Sequence, residues 1–62
     1  MKIIEYYTDK AAAERQLENF KKDYATYPYM AKFWINENVP VINNKEEIVK
    51  GYEVGVYYSP LD

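Results

Sequence analysis

The sequence lacks cysteine and histidine altogether. Their absence excludes disulfides, thiolate and imidazole metal sites, and the most common general base and thiol nucleophile of enzymes. Two isolated glycines cannot form a glycine-rich loop around a phosphate. No stretch approaches the roughly 18 apolar residues of a membrane-spanning helix, and the charged start does not fit a signal peptide. We therefore expect no metal, no cofactor and no membrane segment.

Carboxylates are the remaining candidates for acid–base chemistry. Glu46 and Glu47 form the single adjacent acidic pair, but neighbouring side chains on a strand or a helical turn point apart. Ser59 has no histidine that could activate it as a nucleophile. The sequence thus predicts no catalytic residues, and we expect a protein that is not an enzyme.

The 62 residues leave room for one small soluble domain, residues 1–62. Domains of this size often need disulfides, a metal or a partner subunit, and without cysteine and histidine a homodimer is the expected solution. A net charge of −2 with one arginine argues against nucleic-acid binding. The lack of cysteine suits a reducing compartment, so the expected location is the cytoplasm.

The first half of the chain predicts a strand followed by a helix. Residues 2–8 are rich in β-branched and aromatic residues, which favours a strand. Thr8 or Asp9 can cap a helix from about Asp9 to Tyr24. Leu17 and Phe20 should lie in the core. The apolar stripe of this helix consists of Ala13, Leu17, Phe20 and Tyr24.

Two further strands are predicted in the second half. Residues 29–36 alternate in polarity, and residues 39–42 can continue this strand if Pro40 lies at a sheet edge or beyond a bulge. Residues 52–59 predict the third strand, in which Gly55 indicates a bulge or close packing against another backbone.

Residues 43–50 have two interpretations. Asn44 and Glu47, followed by Gly51, have the spacing of a capped helical turn, which is the preferred interpretation. The alternative is a hairpin turn at Asn43 and Asn44, followed by a strand over residues 46–49.

The predicted fold is α+β, a β-α-β-β arrangement with one helix packed on a three-stranded mixed sheet. The third strand is the most apolar and is therefore placed in the centre, in the order 1-3-2, with 1-2-3 as the alternative. If the first two strands are parallel, the helix should make a right-handed crossover between them.

One helix can cover only one face of such a sheet, so the aromatic residues of the other face are candidates for binding. Phe33 and Ile35 flank Trp34 in sequence, as apolar residues also flank Tyr57, so both rings should point away from the helix. The first strand adds either Ile3 and Tyr7 or Ile4 and Tyr6 to that face.

Contiguous exposed rings are typical of interfaces, although they can also cover a thin core. For two residues of the candidate set, Tyr27 and Tyr29, a structural corner around Pro28 is the preferred interpretation, and a recognition site is the alternative. The candidate partner-binding residues are Trp34, Tyr57, Met30, Lys32, Tyr7, Tyr27 and Tyr29.

These features predict a small protein-binding module, an inhibitor or adaptor that blocks a partner protein. Tyrosine is the most frequent residue, and together with lysine, isoleucine and asparagine it has A/T-rich codons. This composition and the small size are typical of phage and mobile-element proteins, many of which inhibit a host enzyme or defence system. The alternatives are a single-stranded nucleic-acid-binding module that stacks bases on exposed rings, and a structural subunit of a larger assembly.

Overall fold

The computed structural model describes residues 1–25 and 29–60, apart from the side chains of Tyr29 and Pro60. Its elements follow in the order β1 (Lys2–Tyr7), α1 (Lys10–Tyr24), β2 (Tyr29–Ile42) and β3 (Ile48–Pro60). A helix on a three-stranded sheet is the α+β fold that the sequence predicts.

The sheet has the order β1-β3-β2, so the third strand is central as predicted. Both neighbouring pairs are antiparallel. The expectation of a mixed sheet is therefore wrong. Strands β1 and β2 run in the same direction, but β3 lies between them, so the two pairs of this sheet contain no parallel neighbours.

Helix α1 begins where the capping residue predicts. The side chain of Asp9 accepts a hydrogen bond from the backbone N–H of Ala12 at 3.1 Å, which satisfies one of the free donors at the helix start. Lys21 and Lys22 lie in the last turn, where their positive charge is attracted to the partially negative C-terminal end of the helix dipole. The predicted helix is confirmed to within one residue at its start.

The core lies between α1 and the central strand. Ala13 and Phe20 of the helix are buried against Val54 and Val56 of β3. Phe20 is thus a core residue as predicted, whereas Leu17 is half-buried at the margin. The other side chains packed on this cluster come from all three strands and from α1: Ile3, Tyr7, Tyr24, Ala31, Phe33, Ile35, Tyr52 and Tyr58.

Strands β2 and β3 are joined by a hairpin loop, so the helical turn preferred for residues 43–50 is wrong and the hairpin alternative is confirmed. The strand after the loop begins at Ile48, two residues later than that alternative predicts. The Asn43 side-chain oxygen accepts from the backbone N–H groups of Lys45 and Glu47, both at 2.9 Å. Glu46 adopts a left-handed φ of 61° in this loop. The asparagine therefore satisfies the loop backbone instead of capping a helix.

A bulge at Asn38 interrupts β2 between Glu37 and Val39, and Asn38 has a left-handed φ of 59°. Pro40 lies beyond this bulge on an edge strand, as its missing N–H requires. Strand β1 pairs with β3 only from Tyr57 back to Tyr52, so residues 48–51 have no partner in β1. Residues 39–42 and 48–51 therefore form a two-stranded extension, here called the arm, and the molecule measures 44 × 19 × 16 Å.

Candidate functional site

The face of the sheet opposite α1 is not covered by any element of the described chain; we call it the open face. The strand register places its side chains in three rows that cross β1, β3 and β2 in that order. The basic row is Lys2–Tyr57–Lys32, the apolar row is Ile4–Gly55–Trp34, and the polar row is Tyr6–Glu53–Asn36. Met30 lies beyond the basic row, opposite Ser59.

Trp34 lies flat on the central strand because Gly55 has no side chain. A Cβ atom at Gly55 would be 2.1 Å from Cζ2 and 2.2 Å from Cε2 of the indole. Gly55 is fully paired and buried, so it marks close packing rather than a bulge, and what packs on it is a ring. The absence of a Cβ therefore lets the ring become part of the open face while remaining half-buried.

Glu53 fixes the orientation of that indole. Its Oε1 atom accepts hydrogen bonds from Nδ2 of Asn36 at 2.9 Å and from Nε1 of Trp34 at 3.0 Å. These two bonds lower the pKa of Glu53, with smaller contributions from the Tyr6 hydroxyl and the Lys2 ammonium. The carboxylate thus stays charged, and the indole N–H is satisfied within the protein.

Other large side chains of the open face extend into solvent. Met30 is 63% exposed, and Tyr57 and Tyr6 are each 53% exposed. A shallow cleft of about 170 Å³ runs beside Tyr57, and its lining is Met30, Ala31, Lys32, Tyr57 and Ser59. The open face can therefore receive an apolar group in this cleft, with a lysine beside it.

Four of the residues predicted for binding lie together on the open face: Met30, Lys32, Trp34 and Tyr57. Tyr7 does not, because it packs against the core under α1. Its hydroxyl donates to Oε2 of Glu5 at 2.9 Å, and burial, with this carboxylate, raises the pKa of Tyr7. The other alternation considered for β1, with Ile4 and Tyr6 on the open face, is the observed one. Tyr27 lies outside the described residues, as does the side chain of Tyr29.

Sequence reasoning missed Lys2 and Asn36 as members of this face, as well as the bonds made by Glu53. Asn36 follows Trp34 by two residues, so strand alternation places both on one side of the sheet. Its pairing with Glu53 depends on the bulge at Asn38, which shifts the hairpin register by one residue. Spacing along the chain was therefore enough to find the face of Asn36 but not its partner.

The arm carries a second exposed apolar pair that the sequence analysis did not single out. Ile42 and Ile48 are cross-strand partners next to the hairpin loop, and they are 69% and 76% exposed. Ile42 also lines a shallow cleft together with Tyr6, Val39, Pro40 and Val41.

Within the described residues, no helix has both the length and the apolar character needed to cross a bilayer. In the same part of the chain, acidic side chains do not gather into a group that could hold a metal ion. No family model, no curated protein and no solved structure matches this chain.

Proposed function

We propose that this chain is a non-catalytic protein-binding module, an inhibitor or adaptor that blocks a partner protein in the cytoplasm. The observation that supports this most strongly is the fixed indole of Trp34, which lies on the same open face as the exposed side chains of Tyr6, Tyr57 and Met30. Tryptophan, tyrosine and methionine are enriched in the cores of protein interfaces. Because Glu53 and Gly55 already hold the indole, binding would cost little side-chain entropy at the centre of the contact.

The chemistry of the open face favours a partner with an apolar side chain bordered by carboxylates. The cleft between Met30 and Tyr57 can take the apolar group, while Lys2 and Lys32 lie on the two sides of Tyr57. Complementary charges at the margin of an interface accelerate association and select the orientation. An acidic, apolar protein surface fits this description.

A homodimer is part of the same proposal. Among the described residues, the buried cluster between α1 and the sheet consists of two helical side chains and two valines of β3, which is small for a domain whose sequence contains no cysteine or histidine. Self-association would add buried apolar surface, and closed two-fold symmetry is the commonest arrangement for it.

The two lysines around Tyr57 also favour a second candidate, the binding of single-stranded nucleic acid. Bases stack on exposed rings, and lysines neutralise neighbouring phosphates. However, Glu53 lies on the same face, separated from the basic row only by the apolar row, and the chain has a net charge of −2. Since backbone neutralisation provides most non-specific affinity for nucleic acid, we favour the protein partner.

The experiment is affinity capture from the natural host with three immobilised proteins. They are the wild type, the open-face variant Met30→Ser/Tyr57→Ser, and a control variant Glu18→Ala/Lys22→Ala on the outer surface of α1. Trp34 is left intact because its removal would uncover Gly55 and leave Glu53 without the indole donor.

A protein captured by the wild type and the control, but not by the open-face variant, is the expected result. It would then be purified and titrated against the same three proteins. Equal capture by all three would place the interface elsewhere and contradict the proposal. Retention of single-stranded oligonucleotides that weakens with salt, without protein capture, would favour the second candidate.

A further inference from the structure

The charges of the open face are arranged so that the face complements itself. The basic row and the polar row lie on opposite sides of the apolar row, each two residues away along every strand. Same-face residues on a strand are separated by about 6.7 Å, so the two rows are equidistant from the apolar row. A two-fold axis across the strands, through the apolar row, would bring each basic row over the polar row of another molecule.

We propose that a second copy of this chain covers the open face in the free protein, as a symmetric face-to-face dimer about this axis. The inference rests on the proposed binding role of the open face and names its first occupant. In this arrangement Lys32 faces the partner's Asn36, Tyr57 faces the partner's Glu53, and Lys2 faces the partner's Tyr6.

Each of the three facing pairs is chemically favourable. A lysine can donate to the amide oxygen of asparagine, a tyrosine hydroxyl can donate to a carboxylate, and a lysine ammonium is attracted to an aromatic ring. The apolar row meets its own copy, with Trp34 over Trp34 of the partner subunit. The strands of the two sheets also remain nearly aligned, as in other face-to-face sheet packings.

The other simple axis, along β3, produces the opposite result. It would place Lys2 over Lys32 of the partner subunit and Glu53 over Glu53 of the partner subunit. Like charges facing each other in an interface are strongly disfavoured. Charge complementarity therefore selects the axis across the strands.

A dimer of this kind would regulate access to the open face. Three short rows provide less than the roughly 800 Å² per partner of a standard interface, so the dimer should be weak and reversible. A foreign partner that binds the same face would compete with the second copy. The face would be masked at high concentration of the free protein and available when the dimer dissociates.

Charge reversal across the proposed axis tests this geometry by sedimentation equilibrium over a wide concentration range. Lys32→Glu would bring a carboxylate close to the partner's Glu53, and Asn36→Lys would bring an ammonium opposite the partner's Lys32. Asn36→Lys removes the Asn36–Glu53 hydrogen bond but leaves the indole donor of Trp34 in place and puts a cation beside Glu53, so the open face should stay intact. Lys22→Glu on the outer surface of α1 is the matched control for a change of charge alone.

We expect the wild type and the control to dimerise, and each single open-face variant to dimerise about tenfold more weakly. An equimolar mixture of the two single variants, and the double variant Lys32→Glu/Asn36→Lys, should recover association because the introduced charges then attract. Circular dichroism establishes that all variants are folded.

A wild type that stays monomeric up to hundreds of micromolar would overturn the dimer, as would single variants that associate like the wild type. Association that is lost only in Ile42→Ser/Ile48→Ser would move the interface to the arm and overturn it too. Foreign-partner capture through the open face by a purely monomeric protein would overturn the homodimer but leave the proposed protein-binding role intact. A dimer that responds to these variants, combined with capture that does not, would instead overturn the proposed function.

Discussion

Glu53 holds Trp34 through a bond that depends on its charge, and this gives the open face a pH dependence. Asn36 and Trp34 donate to the ionised carboxylate, so the pKa of Glu53 in the folded protein lies below its ordinary value of 4.5. The network therefore stabilises the folded state above that pH, and its contribution is lost as the pH falls through the lower, folded-state pKa. Fluorescence of Trp34, the single tryptophan, should change in this lower range.

The variant Glu53→Gln should abolish that fluorescence transition, whereas Glu14→Gln on the exposed side of α1 should leave it unchanged. Measurement at low protein concentration keeps self-association from contributing. A transition of the same midpoint in Glu53→Gln would show that another group controls the environment of the indole.

Gly55→Ala should destabilise the fold by about 1–3 kcal/mol, the usual cost of an extra methyl group in a packed site. The added Cβ would lie 2.1 Å from the indole of Trp34. The penalty should shrink when Trp34→Leu removes the ring, which a double-mutant cycle of urea unfolding measures. Gly51→Ala is the control substitution, because its Cβ would also meet a close neighbour, the backbone oxygen of Tyr7 at 2.5 Å, but not the indole of Trp34.

Undiminished destabilisation by Gly55→Ala in the Trp34→Leu background would contradict direct contact between the two residues. Gly51→Ala should cost the same in either background, since the atoms nearest to its added Cβ belong to Tyr7 and Val41 and not to Trp34.

Part of the open face could be predicted from residue alternation and part could not. In β2 and β3 the flanking Phe33, Ile35 and Val56 distinguish the two faces. Alternation therefore predicts that Trp34 and Tyr57 lie on the open face, as they do. In β1 the pairs Ile3–Ile4 and Tyr6–Tyr7 put one isoleucine and one tyrosine on each face. Alternation carries no preference there, and only packing against α1 places Tyr7 inside.

At the scale of elements, the helix and the central strand could be predicted because their signals are local. The apolar repeat and the Asp9 cap define α1, and the apolar character of β3 indicates a strand with neighbours on both sides. The loop at residues 43–47 could not be assigned, since an asparagine followed by a glutamate can cap a helix or close a hairpin. The cross-strand pairing of Ile42 with Ile48 shows that the loop closes a hairpin. The spacing of residues within the loop does not predict this pairing.

The bulge in β2 predicts a strong dependence on the residue at position 38. Asn38 has a φ of 59°, a conformation that asparagine tolerates and β-branched residues do not. Asn38→Val should therefore cost about 1–2 kcal/mol, whereas Asn38→Gly should be close to neutral because glycine adopts this conformation freely. Chemical denaturation of the two variants measures the difference, and equal stability would contradict the backbone assignment.

Phe20 should contribute more to stability than Leu17, although both follow the same helical stripe. Phe20 is buried at 4% exposure, whereas Leu17 lies half-buried at the edge of the core. Phe20→Ala should cost about 3–5 kcal/mol, much of the total for a small domain at the low end of about 5–15 kcal/mol. Leu17→Ala should cost clearly less. If thermal melts rank the two variants in the reverse order, the assignment of the buried face of α1 is wrong.

At the scale of the whole molecule, the arm explains the elongated shape. The Cα radius of gyration is 13.0 Å, compared with about 10.6 Å expected for a compact domain of this length. Before Tyr52, residues 48–51 of β3 pair with β2 alone. A two-stranded ribbon on its own is only marginally stable in water, so the arm depends on its connection to the body, where Val41 is buried close to Gly51.

The arm should therefore open without unfolding the rest of the molecule. Amide hydrogen exchange should be slowest at Val54 and Val56, in the core, and faster along the arm from Gly51 toward Ile48, because local opening exposes the arm first. Phe20→Ala gives an internal control: it lowers the free energy of global unfolding and should accelerate exchange at the two valines while leaving the arm amides unchanged. Arm amides as slow as those of Val54, or accelerated equally by Phe20→Ala, would mean that arm and body unfold as one cooperative unit.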